Sequence, residues 1–146
     1  MTLPLFQERL SDLMMESDLS VPALAQRLGT SRSTLNRFLK GRRTPSVEFL
    51  VRLADYFHCT LDYLIGKEEV NYATTFLTPP PFSRRFLDLC EIFHVTRYEI
   101  QNKTSISMAS VYTWEHNPRY PTIDNILRLA DLFDCTVDFV VGRTAS

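Results

Sequence analysis

The chain has 146 residues, of which 45% are hydrophobic and 23% are charged, and its formal net charge at pH 7 is −1. Four glycines and eight prolines exclude a collagen-like or low-complexity chain, and no apolar stretch is long enough to predict a membrane-spanning helix. The N-terminal sequence lacks the basic and apolar regions of a secretory signal, and the three cysteines are widely spaced. Both features favour a reducing, cytoplasmic environment over a disulfide-bonded, secreted one.

Five helices are predicted in the first part of the chain. The apolar stripe of Phe6, Leu10, Leu13 and Met14 has helical spacing and predicts the first helix. A serine or threonine, which favours a helix N-cap, precedes each of the other four helices. These four caps are Ser20, Ser31, Ser46 and Thr60. No convincing strand alternation is present, so this part of the chain is predicted to be all-α.

The second and third helices, Val21–Leu28 and 32–40, are predicted to form a helix–turn–helix. Ala25 is small enough for the two helices to approach closely, and Gly29 accepts the positive φ that a tight turn requires. The inward stripe of the third helix is formed by Leu35, Phe38 and Leu39. Its outward face then carries side chains that can bond base edges or phosphates. These are Arg32, Ser33, Asn36, Arg37 and Lys40.

The positive charge of the chain is concentrated around this third helix. Positions 27–52 contain seven lysines and arginines and one acid, Glu48, which gives a net charge of +6. A basic patch on a nearly neutral protein is typical of a site for a polyanion such as nucleic acid. A solvated surface could carry the same charges, but the helix–turn–helix pattern around them favours the nucleic-acid interpretation.

The whole pattern then repeats. Positions 6–67 align with positions 82–143 without a gap, and 16 of these 62 pairs are identical. The repeat predicts one domain over 1–67 and a second, diverged domain over 82–146, joined by a proline-rich linker over 68–81. Three residues of this linker, Tyr72, Phe76 and Leu77, are apolar for a free segment. The middle of the linker is therefore expected to pack on one of the domains.

The second copy keeps the helical framework but changes the outward face. Its predicted caps are Thr96, Ser107, Thr122 and Thr136. Trp114 takes the position of Phe38 and is predicted to lie in the core.

The outward face of the third helix of this copy carries Met108, Ala109, Tyr112, Thr113 and His116. Positions 103–128 have a net charge of only +1, so this copy is expected to bind DNA weakly or not at all and to serve assembly of a homodimer instead. Met108 and Tyr112 are its candidate protein interface.

Together these motifs resemble the lambda-repressor-like, or XRE, family of helix–turn–helix transcriptional regulators. The resemblance covers 6–67, through Leu24-Ala25-x-x-Leu28-Gly29-x-Ser31 and Gly41-x-Arg43-x-Pro45, and returns in the second copy at Trp114 and Leu129-Ala130-Asp131. It implies two tandem five-helix DNA-binding domains and double-stranded DNA as the partner. In this family the third helix enters the major groove, which implies that Arg32, Ser33, Asn36 and Arg37 read bases. The loop that follows the helix holds phosphates, which implies that role for Lys40, Arg42 and Arg43.

The function predicted from the sequence is sequence-specific DNA binding by a transcriptional regulator that places helix 32–40 in the major groove. A protein-interaction or assembly module, similar to an antitoxin, that keeps the fold without using DNA is the alternative. A small-molecule sensor with the second copy as receiver is a third interpretation, although no motif identifies an effector. No catalytic, cofactor or metal-binding pattern is present, and Cys59 beside His58 is interpreted as a core cysteine rather than a nucleophile.

Overall fold

The computed structural model of the protein describes residues 3–146, and secondary structure over that range is entirely helical. The chain divides into two compact units, Met1–Thr74 (unit 1) and Thr75–Ser146 (unit 2). The helices described in unit 1 are α1 (Pro4–Glu16), α2 (Val21–Leu28), α3 (Arg32–Leu39), α4 (Val47–Phe57) and α5 (Leu61–Leu64). Those of unit 2 are α6 (Phe82–Phe93), α7 (Arg97–Lys103), α8 (Met108–His116), α9 (Ile123–Phe133) and α10 (Val137–Val141). The all-α prediction is confirmed. None of the helices in the described range is long and apolar enough to cross a membrane.

Hydroxyl caps start eight of these helices, as the sequence predicts. Each side-chain oxygen accepts a hydrogen bond from the backbone N–H three residues later, which satisfies one of the donors that a helix N-terminus leaves open. The eight caps are Ser20, Ser31, Ser46, Thr60, Thr96, Ser107, Thr122 and Thr136. Thr96 and Glu99 form the complete capping box. One boundary differs from the prediction, because α3 ends at Leu39 and Lys40 is its C-cap.

An aromatic residue of α3 lies at the centre of unit 1. Phe38 is 2% exposed, and its ring packs edge-on against Phe6 of α1 and at 5.1 Å, centroid to centroid, from Phe49 of α4. Such pairs add about 0.5–1.5 kcal/mol beyond the area that they bury. Together with the fully buried Leu35, Phe38 anchors α3 by its inward face and leaves the opposite face of the helix in solvent.

Trp114 takes the same place in unit 2. It is 4% exposed and lies 5.5 Å from Phe86 and 6.2 Å from Phe82, with both rings edge-on. Its predicted core position is confirmed. Trp114 is also the single tryptophan of the chain, so its fluorescence reports on unit 2 alone.

In each unit, an arginine of the first helix bonds to the last helix. In unit 1, Arg9 Nε donates to the carbonyl oxygen of Tyr63 at 3.1 Å, and its guanidinium lies over the Tyr63 ring. In unit 2, Arg85 Nε donates to the carbonyl oxygen of Phe139 at the same distance and lies over the Phe139 ring. Both arginines therefore tie the first helix of a unit to its last one. This shared contact gives a structural reason for the arginine at both positions 9 and 85 of the repeat.

A buried ion pair closes the C-terminal end of unit 2. Arg143 and Asp138 have side chains that are 0% and 2% exposed, and the guanidinium pairs with the carboxylate. Asp62, the counterpart of Asp138 in unit 1, is 3% exposed. Both aspartates stand in the first turn of their helices, as predicted. Their burial, however, is not visible from the sequence pattern.

Residues inside the segment 68–81 contact both units. On unit 1, Asn71 accepts a hydrogen bond from the Thr60 N–H and donates one to the carbonyl oxygen of His58. On unit 2, the ring of Phe76 lies 4.1 Å from the centre of the Arg143 guanidinium, and the Leu77 N–H donates to the Arg143 carbonyl oxygen at 2.8 Å. The sequence predicted packing on one of the domains, but the segment contacts both units. Hydrogen bonds hold it on unit 1, and a cation–π contact and a backbone hydrogen bond hold it on unit 2.

Candidate nucleic-acid interface

The turn between α2 and α3 has the geometry that a helix–turn–helix requires. Gly29 is the C-cap of α2 in the left-handed conformation, with φ of 64° and ψ of 35°. The Gly29 N–H donates to Gln26 and the Thr30 N–H donates to Ala25, which satisfies the last carbonyl oxygens of the helix. Ala25 is 3% exposed. The predicted roles of Ala25 and Gly29 agree with this geometry.

A hydroxyl cluster fixes the N-terminal end of α3. The Thr34 N–H donates to Ser31 Oγ at 3.1 Å, and the Thr34 hydroxyl lies 2.8 Å from the same oxygen. Ser33 Oγ lies 3.3 Å from Ser31 Oγ, at the edge of hydrogen-bond distance. Ser33 is exposed, so its hydroxyl keeps capacity for a further partner.

The outward face of α3 is open to solvent. Leu35 and Phe38 are buried on the opposite side. The four side chains that the sequence assigns to base reading, Arg32, Ser33, Asn36 and Arg37, are all exposed. Since one helix carries them on one face, the structure brings these four residues together, and it leaves them free to contact a partner.

The loop after α3 folds back onto the end of the helix. Gly41 has φ of 69°, and the Arg42 N–H donates to the carbonyl oxygen of Arg37 at 2.8 Å. L side chains rarely adopt this conformation, which favours glycine at position 41, and a Cβ there would also displace the flexible end of the Gln7 side chain. This close turn sets Lys40, Arg42 and Arg43 directly beside the outward face of α3. All three are exposed, although the Arg43 guanidinium also lies 5.8 Å from the centroid of the Phe38 ring.

Two of the seven basic residues in positions 27–52 serve the fold instead. Arg27 Nη1 donates to the Tyr56 hydroxyl at 3.0 Å, and Arg52 Nη2 donates to the Leu28 carbonyl oxygen. The other five are exposed and make no such hydrogen bond within the described part of the chain, and we call them the basic face: Arg32, Arg37, Lys40, Arg42 and Arg43. Within residues 3–146, no carboxylate forms an ion pair with any of these five. The basic face is unneutralised.

A groove that the sequence does not predict runs beside the basic face. It has a volume of about 720 Å³ and lies between the N-terminal ends of α2 and α3. Its lining includes Ser20, Gln26, Thr30 and Arg32. The positive ends of two helix dipoles favour an anion in such a place. The N-cap serines Ser20 and Ser31 mark the two helix starts in the sequence. The sequence does not show that the starts of α2 and α3 lie close together, because this depends on the geometry of the turn between the helices.

The corresponding turn of unit 2 is built differently. Thr104, the C-cap of α7, is extended, with φ of −133° and ψ of 173°. The Thr104 hydroxyl donates to the Ile100 carbonyl oxygen and accepts from the Ile106 N–H. The Thr104 side chain thus caps α7, whereas a left-handed glycine caps α2 in unit 1, and Ser105 stands at the position of Gly29. Gln101, at the position of the buried Ala25, is exposed.

The outward face of α8 directs its polar groups back to its own helix. The Thr113 hydroxyl donates to Ala109, and His116 Nδ1 lies 2.8 Å from the Tyr112 carbonyl oxygen. The rings of Tyr112 and His116 stack with centroids 4.1 Å apart. Tyr112 is 60% exposed, whereas Met108 is half-buried. Few free hydrogen-bonding groups remain here for base edges.

Two of the cysteines, Cys59 and Cys90, lie in environments that disfavour reaction. Cys59 is fully buried, which confirms its predicted core position. Burial raises the pKa of Cys90 to about 11, and the nearby Glu115 carboxylate adds to the shift. Its thiol therefore stays protonated at neutral pH, which disfavours nucleophilic chemistry. No group of three or more potential metal ligands is clustered among the residues that the structure describes.

The fold and the exposed α3 define a protein with two helix–turn–helix domains. A family model described as "Helix-turn-helix" matches residues 10–64, and one described as "Cro/C1-type HTH DNA-binding domain" matches residues 88–138. The chain therefore carries two helix–turn–helix domains of the Cro/C1 type in tandem. This confirms the family resemblance that the sequence motifs indicate.

Among known proteins, the chain is similar to the HTH-type transcriptional regulator AnsR of Bacillus subtilis (strain 168). The two are 39% identical over 62 residues, which are 42% of this chain and 53% of AnsR. The chain thus spans about half the length of this curated relative. No solved structure gives a significant match.

Proposed function

We propose that the protein is a cytoplasmic, sequence-specific double-stranded-DNA-binding protein that regulates transcription, with α3 of unit 1 lying in the major groove. One observation carries this proposal: five exposed cations without carboxylate partners surround the outward face of a helix–turn–helix. The major groove admits an α-helix, and a concentrated positive surface supplies phosphate attraction. The family membership and the similarity to a transcriptional regulator support the same function.

The side chains on α3 and those after it have different tasks in this proposal. Arg32, Ser33, Asn36 and Arg37 lie on the helix itself and contact base edges; an arginine fork fits guanine, and an asparagine amide fits adenine. Lys40, Arg42 and Arg43 lie in the loop and hold phosphates, which sets the register of the helix without reading sequence. The backbone bond from Arg42 to Arg37 fixes the loop relative to the helix.

The phosphate role of the loop predicts a change in salt dependence. Arg42→Ala is expected to weaken binding to all duplexes about equally and to reduce the slope of log affinity against log salt by about 0.9, because one phosphate contact is lost. The affinity of the full chain for one selected duplex and one random duplex, measured at several salt concentrations, gives both values.

Arg84→Ala is the matched control for this measurement. Arg84 is an exposed arginine on α6 that pairs with Asp88 at 3.4 Å, outside the basic face. Its loss should leave the slope unchanged. If Arg42→Ala and Arg84→Ala alter the slope alike, the charge effect is general and the phosphate role of Arg42 is wrong.

Unit 2 is proposed to serve assembly into a homodimer. Its α8 face is weakly charged and has its polar groups bonded internally, yet it exposes Tyr112. Aromatic residues and methionine are enriched in protein interfaces, which favours Tyr112 and Met108 as contacts. This observation also favours the second candidate function, a protein-interaction module. A dimer would present two copies of α3 to half-sites about 34–36 Å apart, one turn of the duplex.

Tyr112→Glu is expected to convert the dimer to a monomer, because it places a charge in the proposed interface. Sedimentation velocity of the full chain measures the change, and the helical circular dichroism should be retained. Tyr72→Glu is the control, since Tyr72 is 65% exposed and lies in unit 1. Sedimentation of Tyr112→Glu identical to the unaltered chain would reject this interface.

A further inference from the structure

The internal repeat allows one region of the two units to be compared directly. In unit 1, two arginines bridge the end of α2 and α4. Arg27 bonds the Tyr56 hydroxyl at 3.0 Å, and Arg52 bonds the Leu28 carbonyl oxygen while lying 5.6 Å from the Phe49 ring centroid. These contacts join α2 to α4.

In unit 2, each of these contacts is replaced. Leu132 stands at the position of Tyr56 and has no hydroxyl for Lys103, the counterpart of Arg27. Asn125 stands at the position of Phe49, and Arg128, the counterpart of Arg52, donates to its side-chain oxygen at 2.7 Å. Arg128 is thus bonded to its own helix rather than to the carbonyl at the end of α7.

The result is an open cleft between the end of α7 and α9. Its volume is about 370 Å³, within the range of roughly 300–1,000 Å³ that is typical of small-molecule sites. The cleft is lined by Lys103, Thr104, Ser105, Arg128, Asp131 and Leu132. It presents two cations and a serine hydroxyl, with a single carboxylate among the lining residues.

We propose that this cleft binds the anionic group, carboxylate or phosphate, of a small metabolite, with Lys103 and Arg128 as its cationic partners. Ionised pairs of this kind form hydrogen bonds stronger than neutral ones. The competing contact of Lys103, a solvent-exposed pair with Glu99 at 3.5 Å, is weak enough to be exchanged. The two cations and the Asp131 carboxylate together give the lining a net charge of +1. A site with so little charge suits a small anion and not a polyanion. The site uses no residue of the basic face and does not depend on the proposed DNA binding.

The test closes the cleft in the way that unit 1 does. The double variant Lys103→Arg/Leu132→Tyr recreates the Arg27–Tyr56 contact, and Arg128→Gln removes one cation. Inorganic phosphate and acetate are titrated separately into the full chain at constant ionic strength. Amide NMR shifts at Thr104 and Ser105 report binding at the cleft, and thermal unfolding followed by Trp114 fluorescence shows that each variant is folded.

A saturable shift with phosphate, acetate or both is expected for the unaltered chain, and the stronger of the two identifies the group that the metabolite carries. Both variants should weaken this binding about tenfold, which is about 1.4 kcal/mol, because each removes one charge-assisted hydrogen bond to the anion. Arg84→Gln, an exposed cation elsewhere in unit 2, should leave it unchanged. Absence of a saturable shift with either anion overturns the proposal, as does equal binding by the closed variant.

Discussion

Arg143→Ala is expected to destabilise unit 2 by about 3–5 kcal/mol, because it leaves the buried Asp138 carboxylate without the cation that faces it. This is a large part of the roughly 5–15 kcal/mol that stabilises an ordinary domain. Chemical denaturation followed by Trp114 fluorescence measures the loss in unit 2 alone, since the chain has one tryptophan. The midpoint should fall strongly.

The repeat supplies the control for this experiment. Lys67 holds the same position in unit 1 but is exposed, so Lys67→Ala should change the stability of unit 1, followed by helical circular dichroism, by less than about 0.5 kcal/mol. Arg143→Met combined with Asp138→Asn removes both charges and should cost less than Arg143→Ala alone. If the single and double variants are equally destabilised, packing of the Arg143 side chain, and not its charge, explains the loss.

Arg37→Ala is expected to reduce discrimination at one base pair of the bound duplex by about 1–3 kcal/mol, the value of a bidentate arginine–base contact. The bound sequence is first selected from a pool of random duplexes at two salt concentrations. Competition by duplexes that each carry one changed base pair then locates the position that Arg37 reads. Affinity for random DNA should fall much less than affinity for the selected duplex.

Arg37→Lys separates charge from geometry in the same assay. Lysine keeps the positive charge but loses the planar fork of the guanidinium. It should preserve binding to random DNA and still lose most of the discrimination. Equal loss on selected and random duplexes in both variants would show that Arg37 contacts phosphate and does not read a base.

The helix boundaries were predictable because their signals are local. A cap such as Ser31 and its acceptor role toward Thr34 involve residues three apart, so the sequence shows them directly. The same holds for the left-handed Gly29 and for the inward position of Phe38. The one-residue difference at the end of α3 arises because Gly41 turns the chain back there, and helix ends vary by that amount.

The roles of individual charges were not predictable in the same way. Arg27 and Arg52 count toward a basic patch in the sequence, but each bonds a group 24 or more positions away. The pairing of Asp138 with Arg143 depends likewise on the turn at Gly142, which brings Arg143 back onto α10. Contacts within the fold decide which charged side chains are already bonded, and a count of charges along the chain treats them all alike.

The anchoring of Phe76 and Leu77 has a consequence for how unit 2 can be excised. A fragment starting at Phe82, the first residue of α6, would lack the ring that covers the Arg143 guanidinium and the amide that bonds its carbonyl oxygen. Water would then reach the edge of the ion pair with Asp138. A fragment that carries an intact unit 2 therefore has to begin ahead of Phe76, and one that carries unit 1 has to extend past Asn71.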